Sequence, residues 1–153
     1  MSILKLKLLE LTNKYELSNA YDIYKYCMFM PTKEKFQKKV CLFSTDDSIK
    51  IFASFHQSKI VGIIVVSFVE QYKVEILGIA VDVPFRGKKI ASYMINYLID
   101  DYNLTSIYAE TDIDAVGFYQ KNNFKITKFT ENYDGENIIR YKCELSQIIQ
   151  NQK

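Results

Sequence analysis

Residues 74–91 read Val-Glu-Ile-Leu-Gly-Ile-Ala-Val-Asp-Val-Pro-Phe-Arg-Gly-Lys-Lys-Ile-Ala, and this stretch decides the fold. Its apolar first half predicts a β-strand from Val74 to Val81. Gly78 indicates a bulge inside that strand, because a glycine weakens regular strand pairing. Pro84 ends the strand, since proline lacks the N–H that strand pairing needs. A basic loop of small residues then leads into a helix.

That helix is predicted from Lys88 to Tyr102, where apolar residues recur at helical spacing. Its charges oppose the helix dipole, because cations stand at its start and Asp100 and Asp101 stand at its end. Each such charge is unfavourable by about 0.3–1 kcal/mol. An anion, typically a phosphate, docked at the N-terminus would account for the cations, and the alternative is a solvated charge cluster. The cations are Arg86, Lys88 and Lys89.

The rest of the chain predicts an α/β domain with a mixed sheet, in the order βαα, ββ, βαβαββ. The further strands are predicted at Ile3 to Leu9, Ile49 to Phe55, Lys59 to Val69, Ser106 to Glu110, Phe124 to Phe129 and Asn137 to Leu145. The further helices are predicted at Leu17 to Met30, after a cap at Thr32, and from Asp112 or Asp114 to Asn122. The strand Lys59 to Val69 is apolar on both faces and is expected at the centre of the sheet.

The composition and charge limit the class of protein and the partners that can be expected. The 153 residues are 48% apolar and 25% charged, which is typical of one globular domain. A net charge of +2 gives no basic stripe for nucleic acid. The first residues do not resemble a signal peptide, and the most apolar run, Ile60 to Val69, is too short to cross a membrane. We therefore expect a cytoplasmic protein with neither nucleic acid nor membrane as a partner.

The cysteines and the histidine suggest no metal centre. The three cysteines are widely spaced, which argues against a disulfide framework or a zinc site and favours reduced, core-filling thiols. The single histidine, His56, falls in a predicted turn between two strands and is expected to have no chemical role. No metal ligand is therefore predicted.

The predicted order of strands and helices, together with two sequence motifs, resembles the GNAT family, the Gcn5-related N-acetyltransferases. The resemblance extends over about residues 5 to 145. The family's motif of Gln or Arg, two residues, Gly, one residue and Gly or Ala corresponds to Arg86-Gly87-Lys88-Lys89-Ile90-Ala91. Downstream, Ala115-Val116-Gly117-Phe118-Tyr119 followed by Phe124 resembles a second family segment. Three positions depart from the pattern: Lys89 replaces a glycine, Asp112 an asparagine and Asn123 a glycine.

The resemblance implies a single-domain α/β fold with a mixed, mostly antiparallel central sheet flanked by helices. It also implies acetyl-CoA as the cosubstrate. Backbone groups of Ile79 and Val81 would pair with the pantetheine arm, and backbone N–H groups of Gly87 to Ala91 would hold the pyrophosphate. Lys89 is expected to have helical φ and ψ. The predicted cosubstrate-binding residues are Ile79, Ala80, Val81, Arg86, Gly87, Lys88, Lys89, Ile90, Ala91, Ser92 and Asp112.

Two residues are predicted to be catalytic. Glu75 occupies a position where some family members have a general base, and strand alternation would put it on one face with Leu77 and Ile79. A solvated carboxylate is the alternative reading, as is a base role for water. Tyr119 matches the family's general-acid tyrosine, and the alternative is an aromatic residue that packs on the Lys88 to Tyr102 helix.

The predicted reaction is acetyl transfer to a primary amine of a small molecule, a protein N-terminus or a lysine. The alternative is an acyl-CoA-binding sensor or partner-binding module without catalysis. The acceptor is expected between Tyr24 to Pro31 and Glu131 to Glu136. We expect the domain to span residues 1–146, a polar tail at 147–153, and a monomer or homodimer.

Overall fold

The computed structural model describes residues 5–146. The strands are β1 Lys7–Glu10, β2 Ile49–His56, β3 Lys59–Glu70, β4 Lys73–Val81, β5 Ser106–Thr111, β6 Lys125–Tyr133 and β7 Glu136–Ser146. The α-helices are α1 Tyr21–Tyr24, α2 Lys33–Thr45, α3 Ile90–Tyr102 and α4 Val116–Lys121. Short 3₁₀ turns occupy Lys14–Ala20, Lys25–Cys27 and Val83–Phe85.

The seven strands within residues 5–146 form one sheet in the order β1-β2-β3-β4-β5-β7-β6. Only β4 and β5 run parallel, and every other neighbouring pair is antiparallel. The predicted mixed, mostly antiparallel sheet is confirmed, as is the position of β3 between two neighbouring strands. The parallel pair is short, because β4 and β5 share only three register positions, from Lys73↔Ser106 to Glu75↔Tyr108. A gap therefore opens between the two strands beyond Glu75.

Helices cover both faces of the sheet, and each face has its own apolar core. On one face α3 packs over β3 and β4 and α4 packs over β6 and β7, with Met94, Leu98 and Tyr119 buried. On the other face Leu17, Tyr24 and the α2 residues pack over β2 and β3. The predicted Thr32 cap of α2 is confirmed, since its hydroxyl accepts the Lys35 N–H at 3.1 Å. The result is a sheet between two helical layers.

The predicted bulge lies in β4 and corrects one expectation about its faces. Val65 pairs with Gly78 and Val66 with Ile76, so Leu77 has no register partner in β3. A bulge adds one residue to its strand, which reverses the alternation beyond it. Ile79 accordingly packs on the α3 side with Ile76, while Glu75 lies on the opposite face. The expectation that Glu75, Leu77 and Ile79 share one face is therefore wrong.

Three predicted helices differ from the structure. Helix α4 begins at Val116, after Ala115 and without a side-chain cap, rather than at Asp112 or Asp114. The segment Leu17 to Met30 is not one helix but a 3₁₀ turn, the single-turn α1 and a second 3₁₀ turn. Burial of Leu17, Ile23 and Tyr24 against the sheet bends this segment, so packing overrides local preference. Helix α3 begins at Ile90 rather than Lys88, because Lys89 has left-handed φ and ψ of 62° and 26°.

Several further expectations can be compared with the structure. Asn103, after α3, and Asn123, after α4, both have left-handed backbone, with φ of 52° and 68°. Part of the predicted first strand and the predicted polar tail lie outside residues 5–146. Of the cysteines, Cys143 is buried and Cys27 half-buried, but Cys41 is exposed and does not fill the core as expected. Within the described residues, no helix has the length and hydrophobicity of a membrane span.

Candidate active site

The gap between β4 and β5 joins two cavities, one on each side of the sheet. The first has a volume of about 740 Å³ and lies on the α3 and α4 side. The second has a volume of about 680 Å³ and lies beneath the 3₁₀ turn at Lys25–Cys27. Ile79 of β4 and Ala115 and Tyr119 of the α4 region line both cavities.

The first cavity contains most of the predicted cosubstrate residues. It is lined by Ile79, Ala80, Val81, Arg86, Gly87, Lys89, Ile90, Ala91 and Ser92, together with Phe85 and α4 residues. Lys88 does not line it, and Asp112 lines the second cavity instead. Asp112 turns the chain, since its carboxylate accepts the Asp114 N–H at 3.0 Å.

The loop before α3 is built from left-handed residues. Gly87 has φ of 77°, and a Cβ built there would meet nothing within 4 Å, so its backbone faces open space. Lys89 has φ of 62°, which corrects the expectation of helical φ and ψ there. A left-handed conformation costs a residue with a Cβ roughly 1–2 kcal/mol, a cost that the glycine of the family motif would avoid.

The start of α3 is suited to an anion. The N–H groups of its first turn have no intrahelical acceptors and carry the positive end of the helix dipole. No acidic residue stands in that first turn. Arg86 and Lys89 add positive charge to the same cavity. A pyrophosphate therefore fits these residues by charge and by the available hydrogen-bond donors.

Helix α4 forms the opposite wall of the first cavity, and Asn122 attaches it to α3. The Ser92 hydroxyl donates to Asn122 Oδ1 at 2.7 Å, and Asn122 Nδ2 donates to the Phe118 carbonyl at 2.8 Å. The sequence predicts Ser92 as a cosubstrate residue, but its only signal for Asn122 is the predicted end of a helix.

Tyr119 lies at the junction of the two cavities. Its side chain is only 4% exposed and packs against Phe118 and Phe124, each with ring centroids 5.1 Å away. Burial raises the pKa of Tyr119 well above its ordinary value, and the neighbouring Cys143 and Cys27 add to the shift. The hydroxyl is thus a proton donor that does not ionise near neutral pH.

A family model described as "Acetyltransferase (GNAT) family" matches residues 14–124 of the chain. The chain belongs to the GNAT acetyltransferase family. The resemblance expected from the two motifs is therefore confirmed. A comparison with curated protein sequences gives no match.

Solved acetyltransferase structures share the fold. The ribosomal-protein-S18-alanine N-acetyltransferase from Escherichia coli is 16% identical, with a TM-score of 0.70, and the match covers 97% of this chain and 99% of that chain. A GNAT acetyltransferase from Elizabethkingia anophelis with acetyl-CoA bound is 16% identical, covering 93% and 98% with a TM-score of 0.67. An acetyltransferase from Bacillus subtilis in complex with CoA is 18% identical, covering 95% and 100% with a TM-score of 0.64. At these identities the likeness shows the fold.

The second predicted catalytic residue of this GNAT chain lies away from the junction. Glu75 is half-buried and lines neither cavity. Desolvation raises the pKa of Glu75, and the charge of Glu110 on β5 raises it further. Glu110 itself lines the second cavity, a position that sequence reasoning missed.

The predicted acceptor region is found only in part. Tyr26 to Met30 line the second cavity as expected, but Glu131 to Glu136 do not. Arg140 of β7 reaches the cavity instead. The alternation of β7 was a usable signal, because Tyr141, Cys143 and Leu145 pack in the core on the α3 side and alternate with polar residues. It puts Arg140 on the opposite face, but it does not show which strand lies beside β7.

Three contacts made by Arg86 and Cys27 were also missed. The Arg86 guanidinium stacks over the Tyr26 ring at 4.5 Å and donates from Nε to the Val81 carbonyl at 3.1 Å, so it links the loop before α3 to a wall of the second cavity. The Cys27 thiol donates to the Tyr24 carbonyl at 3.2 Å. Burial raises the pKa of Cys27 to about 11, which leaves it a poor nucleophile at neutral pH.

Proposed function

We propose that the protein transfers the acetyl group of acetyl-CoA to a primary amine of an acceptor bound in the second cavity. The observation that carries this proposal is the position of Tyr119, whose side chain lines both cavities where they meet. A thioester that enters from the first cavity and an amine that enters from the second would meet beside its hydroxyl.

The cosubstrate would lie along the first cavity. Its pyrophosphate would accept N–H groups from Gly87 to Ala91, with charge from Arg86 and Lys89. Its pantetheine arm would pair with backbone groups of Ile79 and Val81, because β4 and β5 separate and leave that edge of β4 without a neighbouring strand. The two other predicted cosubstrate residues, Lys88 and Asp112, would contribute less, since neither lines this cavity.

The reaction needs a neutral amine. The nitrogen forms a bond to the thioester carbonyl carbon, the carbon–sulfur bond breaks, the amine loses a proton and the CoA sulfur gains one. An alkyl amine with a pKa of about 10.4 is neutral in roughly one part in a few thousand at pH 7. Recovering the neutral fraction is worth up to about 4.6 kcal/mol, so a base or a desolvated site matters.

Tyr119 would assist the leaving sulfur. A tyrosine of ordinary pKa, about 10, is already a weaker acid than a thiol of about 8.5. Burial raises the pKa of Tyr119 still higher, so complete proton transfer to the thiolate is more unfavourable here. Tyr119 would therefore stabilise the departing thiolate chiefly as a hydrogen-bond donor.

Glu75 would act as a base only through an intermediary. Glu75 lines neither cavity. Glu110, whose charge raises the pKa of Glu75, lines the second cavity, where the acceptor would bind. A proton from the acceptor would reach Glu75 through Glu110 or through water. The raised pKa of Glu75 suits a base better than an ordinary carboxylate, because it holds a proton more readily.

A measurement of thiol release distinguishes the proposal from its alternative, which is acyl-CoA binding without catalysis. That alternative stays open because Lys89 stands where the family motif has a glycine. Acetyl-CoA is mixed with the protein and a panel of amines, and free CoA is measured over time. We expect amine-dependent CoA release at a rate proportional to protein concentration. Binding of acetyl-CoA by calorimetry without release for any amine would favour the alternative.

A further inference from the structure

Among residues 5–146, one cationic side chain lines the second cavity. Of the described residues in its wall, Arg140 is the only lysine or arginine, whereas Glu110, Asp112 and Asp114 supply three carboxylates. The acceptor surface thus holds a positive group and a group of negative charges within one cavity. An acceptor that carries only positive charge would leave Arg140 facing a like charge.

Arg140 has few protein partners in the described part of the chain. Its Nη2 donates to the Glu110 carbonyl at 3.3 Å, and its buried Nε has no hydrogen-bond partner. Its nearest carboxylate, Glu131 Oε1, is 4.0 Å from Nε, which is beyond hydrogen-bonding distance. Because a guanidinium has five N–H donors, Arg140 retains capacity for a further acceptor group.

Arg140 is held by a contact with the backbone and forms a long ion pair with Glu131. It projects from β7, and its hydrogen bond to Glu110 attaches it to the neighbouring strand β5. Its side chain is 28% exposed, so a ligand in the cavity can reach the guanidinium. The planar guanidinium matches a carboxylate through two parallel hydrogen bonds.

We propose that the acceptor is an amino acid or a close derivative that carries a free carboxylate and its reactive amine on one small molecule. The carboxylate would bind Arg140, and the amine would point to Tyr119 between the acidic residues. The apolar side of the cavity, formed by Phe29, Met30 and Leu77, would take an apolar side chain. This inference rests on the proposed acetyl transfer and names its substrate class.

The test compares acids with their amides. Acetyl transfer is measured for a set of L-amino acids, for the matching carboxamides and for 1,4-diaminobutane, which has no carboxylate. A charge-assisted hydrogen bond to a carboxylate predicts a kcat/KM about 10- to 100-fold higher for the best acid than for its amide. Arg140→Gln should abolish this difference through a higher KM for the acid, and Arg140→Lys should retain part of it.

Two controls separate the role of Arg140 from a role in folding. Arg140→Gln should leave the Kd for acetyl-CoA within about twofold, because Arg140 does not line the first cavity. Glu131→Gln should keep or increase the preference for the acid, since it removes the carboxylate nearest to Arg140.

The possible failures are distinguishable. An amide or the diamine used as well as the best acid, with wild-type acetyl transfer intact, would overturn the assignment of the carboxylate and leave the proposed function standing. Acetyl transfer to none of these amines or of the wider panel would overturn both.

Discussion

The ring of Tyr24 ends against the backbone of Gly78 at the bulge of β4. A Cβ built on Gly78 would lie 2.7 Å from Tyr24 Cζ, which is closer than real Cβ contacts. Tyr24 is 1% exposed, and its ring packs against Phe36 and Phe43 with centroids 5.8 and 6.4 Å away. Because these neighbours hold the ring, the helical layer that contains α1 and α2 fixes β4 where the two cavities meet.

We predict that Gly78→Ala destabilises the protein by about 1–3 kcal/mol, the usual cost of inserting an atom into a packed core. The measurement is the free energy of unfolding in denaturant. Gly117→Ala in α4 is the matched control, because a Cβ there meets nothing within 4 Å. That control should stabilise by about 0.5–1 kcal/mol, since alanine favours a helix. Equal free energies of unfolding for Gly78→Ala and the wild-type protein would contradict this prediction and show that the Tyr24 ring moves aside.

Lys89 provides a second prediction because its side chain and its backbone have separate effects. Lys89→Gly should stabilise the ligand-free protein by about 1 kcal/mol, by relief of its left-handed conformation, and raise Tm by about 2–4 °C. Lys89→Ala keeps a Cβ and should give no such rise. The comparison is made by thermal unfolding, and a rise for alanine equal to that for glycine would contradict the argument from backbone strain.

The charge of Lys89 is tested by acetyl-CoA affinity in the same variants. Lys89→Glu should weaken binding strongly, because it places an anion in the first cavity beside the expected phosphates. Lys89→Gly should bind comparably or better, since it restores the residue typical of the family. Equal Kd values for lysine, glycine and glutamate would show that this side chain points away from the phosphates.

The sequence was most informative where one local pattern dominates. Apolar runs and Pro84 predicted β3 and β4, and the motif at residues 86–91 predicted the family and the loop of the first cavity. It failed where packing or register decides: the path of residues 17–30 depends on burial of Tyr24 against the sheet, and the faces of β4 depend on the bulge at Leu77. Arg140 could not be found locally, because its place depends on the pairing of β7 with β5.

The pH profile gives a third prediction. Burial raises the pKa of Tyr119, so its hydroxyl remains protonated at every pH below its ordinary value of 10. The rate should therefore rise with pH as the acceptor amine loses its proton, with no descending limb below about pH 10. The measurement is log kcat/KM from about pH 6 to pH 10. A fall between about pH 8 and pH 9.5 that Tyr119→Phe abolishes would show that Tyr119 ionises early.

The most direct test of the central claim is the rate of acetyl transfer by Tyr119→Phe at saturating acetyl-CoA and amine. The substitution keeps the ring and its contacts with Phe118 and Phe124 but removes the hydroxyl at the junction of the cavities. We predict a fall in kcat of about 10²- to 10⁴-fold, with the Kd for acetyl-CoA nearly unchanged. Full turnover by Tyr119→Phe on an accepted amine would contradict the account and leave Tyr119 as a packing residue.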